Sequence, residues 1–379
     1  MNTPRKDILK SVKKVVIKIG SGVLTAKDGL NLEVIHALSE DMCNLMKQKG
    51  LEIILVSSGA IASGIKKMGF SQRPQSISQQ QAAAAIGQST LMLAYEKVFQ
   101  GHDRKVAQVL VTRDDLTNRK RYLNTRNTLF TLLNWNVVPI INENDTVVVD
   151  EIKFGDNDNL SAMIANLAGA HLVVNLTTTD GFFDDDPRKN KKAELISTVE
   201  KITSKMEKYA SSIPGSLGKG GMESKVKAAR HAAICGIPTI IANGLKKNIL
   251  STIFQGKEEG TLFLPLPTPM RSRQHWIAFT KSLKGRIMVD EGAAEALVNK
   301  GKSLLPSGIV AVYGKFTIGD SAAIINKQGI RLAVGLVNYQ STEVEKILGR
   351  KTTDIEKILG YKHDDEVVHK DNLVLINNA

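Results

Sequence analysis

The chain has 379 residues, of which 42% are hydrophobic, so it is long enough for two or three domains with a sizeable core. Its two cysteines, Cys43 and Cys235, lie far apart, which excludes a disulfide framework and a metal site with cysteine spacing; a reducing compartment fits this pattern. The 51 Lys and Arg residues exceed the 38 Asp and Glu residues by 13, a balance often met in nucleic-acid-binding proteins.

The basic residues are scattered in short pairs such as Lys13-Lys14 and Lys66-Lys67, and aromatic residues make up only 5% of the chain. This distribution favours a solvated basic surface, which would attract an anionic nucleotide and an anionic substrate, over a nucleic-acid groove. The first residues lack the apolar core of a signal peptide, and no run of about 18 apolar residues occurs. We therefore expect a cytoplasmic protein that does not enter the membrane.

The first predicted strand, residues 15–19, is apolar except for Lys18, and Gly20-Ser21-Gly22 follows at once. A lysine inside a buried strand needs an anionic partner. Glycines after a strand let backbone N–H groups approach a phosphate, although a simple tight turn explains them equally well. The Walker A pattern is not present in the sequence.

Residues 32–46 have the apolar spacing of an amphipathic helix, and residues 53–56 predict a second buried strand. The segment after it begins with Ser57, Ser58 and Gly59. Either serine could cap a helix. The same helix start could instead bind a carboxylate through its N–H groups.

Helices are predicted at 79–99 and 118–133, with a strand at 106–111 between them. Gly87 would mark close packing of the first helix. Arg119, Arg121 and Arg126 on the second helix could be active-site cations, but a solvated helix face is the more frequent role of such residues.

The most unusual stretch follows the predicted strand 137–141 and precedes the predicted helix 160–168. It contains Asx-rich and acidic runs at 142–145 and 156–159, separated by a hairpin-like segment, 146–154. Buried carboxylates and amides are costly unless they are paired, and open α/β sheets bind ligands where a strand ends before a helix. The pattern favours a polar ligand site over a solvated loop with Asx turns.

A strand at 172–176 leads into Thr177, Thr178 and Asp180, and then into an acidic run, 184–186, that we expect to be an exposed loop. Glycines at 215–221 precede a helix predicted at 226–235, and a further strand and turn follow at 236–244. A glycine-rich loop before a helix is suited to binding an anion, and a flexible linker is the alternative. The alternation of strands and helices up to about residue 262 predicts a mostly parallel sheet with helices on both faces.

The alternating prolines of residues 264–269 predict an extended linker, 264–274. Beyond it, short predicted strands at 286–290, 308–313, 316–318, 322–326 and 331–336 are separated by glycine turns, with one helix at 291–300. We therefore predict two domains, 1–263 and 275–379, of which the second is small and β-rich.

Three motifs carry a resemblance to a known family: INEND at 141–145, GDNDNLSA at 155–162 and GKGGMESK at 218–225. Together they closely resemble the glutamate 5-kinases of the amino acid kinase superfamily, which implies an αβα sandwich. DEGAAEAL at 290–297 and SLLPSGI at 303–309 resemble a PUA domain, a small RNA-associated β-barrel module. The resemblance implies ATP-dependent phosphorylation of the side-chain carboxylate of L-glutamate, with Mg²⁺ on the ATP phosphates.

The resemblance also implies roles for individual residues of this sequence. The implied catalytic residues are Lys18, Lys225 and Asp158. The implied glutamate-binding residues are Ser58, Gly59, Asn142, Asp145 and Asn157. The implied ATP-binding residues are Lys18, Gly20, Ser21, Thr177, Thr178, Asp180, Lys219, Gly220, Gly221, Met222, Glu223, Ser224 and Lys225. Feedback inhibition by proline, a homo-oligomer and RNA binding through the PUA-like domain are further implications.

The chain departs from the family pattern at Thr178, where an aspartate is usual, and at Phe182-Phe183, where Leu-Tyr is usual. Two alternatives stay open: a related kinase that phosphorylates aspartate, acetylglutamate, UMP or carbamate, and an RNA-binding protein that acts through its PUA-like domain.

Overall fold

The computed structural model describes residues 4–26, 29–147, 157–211, 221–267 and 283–376. The chain divides into two compact units, Met1–Pro269 and Met270–Ala379. Most of the predicted linker and the hairpin-like part of the Asx-rich stretch lie outside the described residues. The domain boundaries at 263 and 275 therefore stay a prediction.

Strands of the first unit form one large sheet and one small hairpin. In chain order they are β1 (Lys14–Ile19), β2 (Thr25–Ala26), β3 (Gly29–Leu30), β4 (Glu52–Ser57), β5 (Lys105–Val111), β6 (Val137–Glu143), β7 (Leu172–Thr177), β8 (Thr198–Val199), β9 (Thr239–Asn243) and β10 (Thr261–Phe263). Among the described residues, eight strands pair in the order β5-β6-β4-β1-β7-β9-β10-β8, and β2 pairs with β3. Neighbours in the large sheet are parallel except β9 and β10, so the predicted mostly parallel sheet is confirmed.

Helices connect these strands. In chain order they are α1 (Pro4–Ser11), α2 (Ser21–Leu24), α3 (Leu32–Lys49), α4 (Ala60–Lys67), α5 (Ile77–Gly101), α6 (Arg113–Thr117), α7 (Arg119–Asn134), α8 (Asn157–Ala168), α9 (Ser204–Ser211), α10 (Met222–Ile234) and α11 (Ile249–Phe254). Local sequence decides where α3 begins and ends. The Asn31 side chain accepts a hydrogen bond from the Val34 N–H at its start, and Gly50 ends the helix with φ +65°.

The alternation of side chains along β1 decides which face of the sheet carries Lys18. Val15, Ile17 and Ile19 belong to the main hydrophobic core, which α3 and α5 also supply. Because successive side chains of a strand point to opposite faces, Lys18 points away from that core. It meets α8, whose side chains pack on the other face.

α4 and α5 pack with their backbones in contact, as the glycine at 87 led us to expect. A Cβ atom at Gly64 would lie 1.7 Å from the Ala83 carbonyl oxygen, and one at Gly87 would lie 1.8 Å from the Ala60 oxygen. Only glycine fits at both positions. This crossing fixes the start of α4, and thereby the polar residues that precede it.

The second unit is a mixed β-sheet with short helices. Its strands are β11 (Leu283–Val289), β12 (Ile309–Gly314), β13 (Ser321–Ile325), β14 (Arg331–Leu336) and β15 (Leu373–Leu375), and its helices are α12 (Glu291–Val298), α13 (Ser341–Ile347) and α14 (Ile355–Leu359). Within the described residues the strands pair in the order β12-β11-β13-β14-β15. The predicted β-rich second unit is confirmed.

Two details of the second unit differ from the predictions. Residues 316–318 are not a strand, because Phe316 turns into the core of this unit and Thr317 begins a tight turn closed by Asp320. β15 was not predicted, since three residues near the chain end carry too short a pattern. Throughout the described ranges, no helix combines the length and the apolar character required to cross a bilayer.

Candidate active site

Asp158 lies in the first turn of α8 and joins two lysines from distant parts of the chain. Lys18 of β1 contacts its Oδ1, and Lys225 of α10 places its Nζ 3.1 Å from its Oδ2. Asp158 has no exposed surface, and the two lysines are only 4% and 5% exposed. We call these three residues the lysine–aspartate cluster.

Two neutral groups also contact the carboxylate. Ser224 donates its hydroxyl to Oδ2 at 2.6 Å, and Asn175 of β7 donates its side-chain amide to Oδ1 at 2.8 Å. Each oxygen of Asp158 therefore accepts from one ammonium group and one neutral donor. Such an arrangement fixes both the position and the plane of the carboxylate.

The electrostatics of the cluster favour an anion. Burial alone raises the pKa of Asp158, but the ammonium groups of Lys18 and Lys225 and the hydroxyl of Ser224 outweigh it, so the pKa lies well below its usual range. Asp158 is thus ionised at neutral pH. Two ammonium groups face one carboxylate, and the positive charge in excess is suited to a phosphate group.

The local sequence explains how Lys18 can reach a ligand. β1 ends at Ile19, and the Gly20 N–H donates to the Leu176 carbonyl oxygen at 3.0 Å. A Cβ atom at Gly20 would lie 3.4 Å from that oxygen and 3.6 Å from the Lys18 Nζ. Glycine keeps the space beside the ammonium group open. Ser21 then begins the short helix α2.

A second polar group, the amide cluster, consists of Ser58, Asn142 and Asn157. The side-chain amide of Asn157 donates to the Ser58 hydroxyl and to the Asn142 side-chain oxygen, both at 2.9 Å, and to the Ser57 carbonyl oxygen at the same distance. Asn157 immediately precedes Asp158, so the two clusters are adjacent.

Neither Ser57 nor Ser58 is the N-cap of α4, the helix that begins near the amide cluster. Gly59 is the N-cap of α4, with φ +99° and no side-chain capping bond. The Ser58 hydroxyl instead meets Asn157. Asp145 lies half-buried just beyond β6, in the same Asx-rich stretch as Asn142.

The predicted nucleotide-binding residues after β7 lie at the carboxyl end of the sheet. Thr177 ends β7, and Thr178 is exposed. Asp180 accepts from the Asn243 amide at 3.0 Å and lies 3.2 Å from the Lys246 ammonium. The hydrogen bond from Asn243 lowers the pKa of Asp180 more than its partial burial raises it, and Lys246 lowers it further.

The glycine-rich stretch is described from Gly221 onward, so Lys219 and Gly220 lie outside the described residues. Gly221 precedes α10. Met222 packs against a small hydrophobic cluster around Phe182 and Val226. Glu223 pairs with Lys227 at 2.6 Å on the helix surface.

The acidic run 184–186 is only partly the exposed loop that we expected. Asp184 and Asp185 are exposed, but Asp186 is buried and accepts two hydrogen bonds from the Arg188 guanidinium. The prediction was wrong for Asp186. The Arg188 guanidinium, two residues further along the chain, pairs with its carboxylate and offsets the cost of burying that charge. The exposed Arg121 pairs with Asp114 at 2.8 Å, in agreement with a solvated face of α7.

Comparisons with known proteins identify the family of the chain. The profile of the amino acid kinase family matches residues 13–243, and that of the PUA domain matches residues 285–359. The chain belongs to the amino acid kinase family. As a kinase of this family, the protein uses ATP as co-substrate.

Curated relatives of this amino acid kinase cover nearly the whole chain and are called glutamate 5-kinase. That of Geobacter metallireducens is 53% identical over 98% of this chain and 100% of its own length. That of Syntrophotalea carbinolica is 51% identical over 98% and 99%, and that of Syntrophus aciditrophicus 51% over 99% and 97%. Among solved structures, the UMP kinase from Bacillus anthracis superposes with a TM-score of 0.45 at 15% identity, over 67% of this chain and 96% of that chain.

Sequence reasoning missed two contacts of this kinase domain. Asn175 interrupts an otherwise apolar strand, which is the same signal that identified Lys18, and it reaches Asp158. Tyr95, fully buried in α5, lies 3.0 Å from the Ser57 hydroxyl and so supports the strand end that leads to the amide cluster. Nothing in the sequence around Tyr95 signals this contact.

Proposed function

We propose that the protein transfers the γ-phosphoryl group of ATP to the side-chain carboxylate of L-glutamate, the first step of proline biosynthesis. The products are ADP and L-glutamyl 5-phosphate. The observation that carries the proposal is the lysine–aspartate cluster at the ligand-binding edge of the sheet. The choice of acceptor is supported by the relatives called glutamate 5-kinase.

The reaction requires little covalent chemistry from the protein. A carboxylate oxygen of glutamate forms a bond to the γ-phosphorus, and the bond from that phosphorus to the bridging oxygen of ATP breaks in line with it. The acceptor is already anionic, so no general base is required. The protein contributes positioning and neutralisation of the charge on the transferring group.

Lys18 and Lys225 are the residues that neutralise this charge. They extend from β1 and α10 to the same carboxylate. Two ammonium groups fixed beforehand need no reorganisation when charge develops in the transition state. Asp158 holds both groups in place and lowers the cost of burying them.

The amide cluster is the proposed glutamate site. Ser58, Asn142 and Asn157 offer hydroxyl and amide groups that can bind the α-carboxylate and the side-chain carboxylate, with backbone groups at Gly59. Asp145 is the proposed partner of the α-ammonium group. The adjacency of Asn157 and Asp158 in α8 would place the acceptor next to the phosphoryl group.

The nucleotide would extend along the carboxyl ends of β1, β7 and β9. Gly20 and Ser21, which lead into α2, would lie beside the phosphates, and the N–H groups that begin α10, from Gly221, would lie on the other side. Thr177, Thr178 and Asp180 would lie on the side of the ribose and base. The remaining predicted positions, Lys219 and Gly220, belong to the glycine-rich loop and stay a prediction.

Mg²⁺ would be held mainly by the ATP phosphates, where it neutralises charge and orients the γ-phosphoryl group. The donor set fits this arrangement, because both oxygens of Asp158 already accept from an ammonium group and a neutral donor. Within the described ranges, no three His, Cys, Asp or Glu residues are grouped as a metal site.

The test is ADP release by the purified protein with Mg-ATP and one acceptor at a time. L-glutamate, L-aspartate, N-acetylglutamate and UMP form the panel. The proposal predicts release that depends on glutamate. Release with another acceptor alone would keep the kinase chemistry and contradict the choice of substrate.

A second activity, RNA binding by the PUA domain, is favoured by one surface feature of the second unit. A groove of about 450 Å³ is lined by Lys284, Arg286, Tyr313 and Arg331 among others, and the Arg286 guanidinium lies 5.5 Å from the centre of the Tyr313 ring. Basic groups beside an aromatic ring suit single-stranded nucleic acid. RNA binding should weaken steeply with salt in the parent and should be lost in an Arg286→Ala/Arg331→Ala variant. Binding that does not respond to salt would contradict this second activity.

Three further expectations remain proposals on the strength of the family resemblance. They are a homo-oligomer, inhibition by proline and a cytoplasmic location. Size measurement by light scattering, kinetics with added proline and cell fractionation test them in turn.

A further inference from the structure

Asn175 is the polar residue inside the apolar strand β7, and it is only 1% exposed. A buried amide is costly unless its groups are hydrogen-bonded. The nitrogen of Asn175 donates to Asp158 Oδ1 at 2.8 Å. Its own oxygen has no hydrogen-bond partner among the described residues. The one satisfied side of this amide is therefore directed at the lysine–aspartate cluster.

The sheet register explains why this amide reaches Asp158. Asn175 lies opposite Lys18 in the parallel pairing of β1 and β7, so both side chains lie on the same face. Both contact Oδ1, whereas Ser224 and Lys225 both contact Oδ2. One neutral donor on each oxygen fixes the carboxylate plane independently of the two ammonium groups.

We propose that Asn175 is a positioning residue for phosphoryl transfer. It holds the carboxylate plane of Asp158, so that Lys18 and Lys225 keep their direction as they bind the transferring phosphoryl group. This role rests on the proposed function, but it does not depend on which acceptor is used, because the cluster acts on the phosphoryl group.

A positioning role and a purely structural role predict opposite results for Asn175→Leu. Leucine has the same branching at Cγ and the same number of side-chain heavy atoms as asparagine, and it removes the buried oxygen that has no partner among the described residues. If Asn175 acts only in the fold, the substitution changes thermal stability and leaves turnover per folded molecule unchanged. If it positions Asp158, kcat per folded molecule falls, whatever the change in thermal stability.

The experiment compares kcat, the KM values for ATP and acceptor, and Tm in three full-length proteins: the parent, Asn175→Leu and the control Thr239→Val. Thr239 lies in the neighbouring strand β9, and its buried hydroxyl has no partner among the described residues either. We expect Asn175→Leu to lower kcat about 10- to 100-fold with unchanged KM values, which is the cost of a misplaced catalytic group. Thr239→Val should keep the parent's kcat.

Asn175→Asp provides a second test through pH and keeps the proposal falsifiable if Asn175→Leu does not fold. The substituted carboxyl can donate to Asp158 only when it is protonated. Burial and the Asp158 carboxylate raise its pKa, whereas the Lys18 ammonium, which contacts the same Oδ1, lowers it. Activity relative to the parent should therefore rise as the pH falls. In Asn175→Leu the same ratio should not depend on pH.

Each outcome supports or overturns the proposal. An unchanged kcat in Asn175→Leu, an equal loss in Thr239→Val, or an Asn175→Asp ratio that is flat with pH would overturn it. If the parent releases ADP normally and Asn175→Leu has the same kcat, only the positioning role is contradicted. A parent that is inactive with every acceptor overturns the proposed function and the positioning role together.

Discussion

Asp158→Asn tests whether one buried carboxylate holds the site together. The substitution keeps the shape of the side chain but removes the negative charge that two nearly buried ammonium groups, those of Lys18 and Lys225, both contact. It also turns one accepting oxygen into an NH2 group that faces existing donors.

The magnitude follows from the distance between the charges. At 3.1 Å and an effective dielectric constant of about 20, the attraction between the Lys225 ammonium and Asp158 is about 5 kcal/mol. Removal of one partner of a buried ion pair typically costs about 3–5 kcal/mol. We therefore expect Asp158→Asn to lower the free energy of unfolding by about 3–5 kcal/mol and to abolish most turnover.

Urea unfolding followed by circular dichroism measures this change, and Asp114→Asn is the matched control. Asp114 forms an ion pair with Arg121 at 2.8 Å, but both side chains are more than half exposed. Its loss should cost less than about 1 kcal/mol. Inorganic phosphate should stabilise Asp158→Asn more than the parent, because it restores negative charge between the lysines. A loss at position 158 as small as that at 114 would refute the electrostatic reasoning.

Three further predictions concern turnover, substrate binding and pH. Lys18→Ala and Lys225→Ala should each lower kcat per folded molecule at least about 10²- to 10³-fold. Both variants should still fold, with a lower Tm, because each removes one partner of a buried ion pair. The exposed Lys67→Ala should match the parent, and an unchanged kcat in the two variants would contradict their assignment. Asp145→Ala should raise the KM for glutamate and leave that for ATP, and a change confined to ATP would contradict the ammonium contact. Burial lowers the pKa of His231 to about 4, so the folded state resists its protonation, and stability should fall by at most about 3 kcal/mol as the pH drops from about 6.5 to 4. His231→Gln should flatten that pH dependence in urea unfolding, and an equally steep curve would show that other groups cause it.

The parts of the fold that repeat a local pattern were predictable from sequence. α3 and β1 follow from the spacing of apolar residues, and the turn at Gly50 follows from the glycine itself. The pairing of β9 and β10 as antiparallel neighbours was not predicted, because pairing direction depends on how the chain returns to the sheet rather than on the residues of either strand.

In the site, too, some features were predictable from sequence and others were not. A lysine in a buried strand and an aspartate in an Asx-rich stretch signalled that each needs a polar partner, and the structure brings Lys18 and Asp158 into contact. Asn175 carried the same signal but was overlooked, because an amide in a strand is less conspicuous than a charge. The contact of Tyr95 with Ser57 could not be predicted, since it depends on how α5 packs across β4.

The most direct test of the central claim is the identity of the product. The protein is incubated with Mg-ATP, L-glutamate and hydroxylamine, which traps an acyl phosphate, and the hydroxamate is identified by mass spectrometry against α- and γ-glutamyl standards. The proposed transfer predicts the γ-hydroxamate in amounts equal to the ADP released, and its absence from the Lys225→Ala variant. ADP release without any glutamyl hydroxamate would contradict the account.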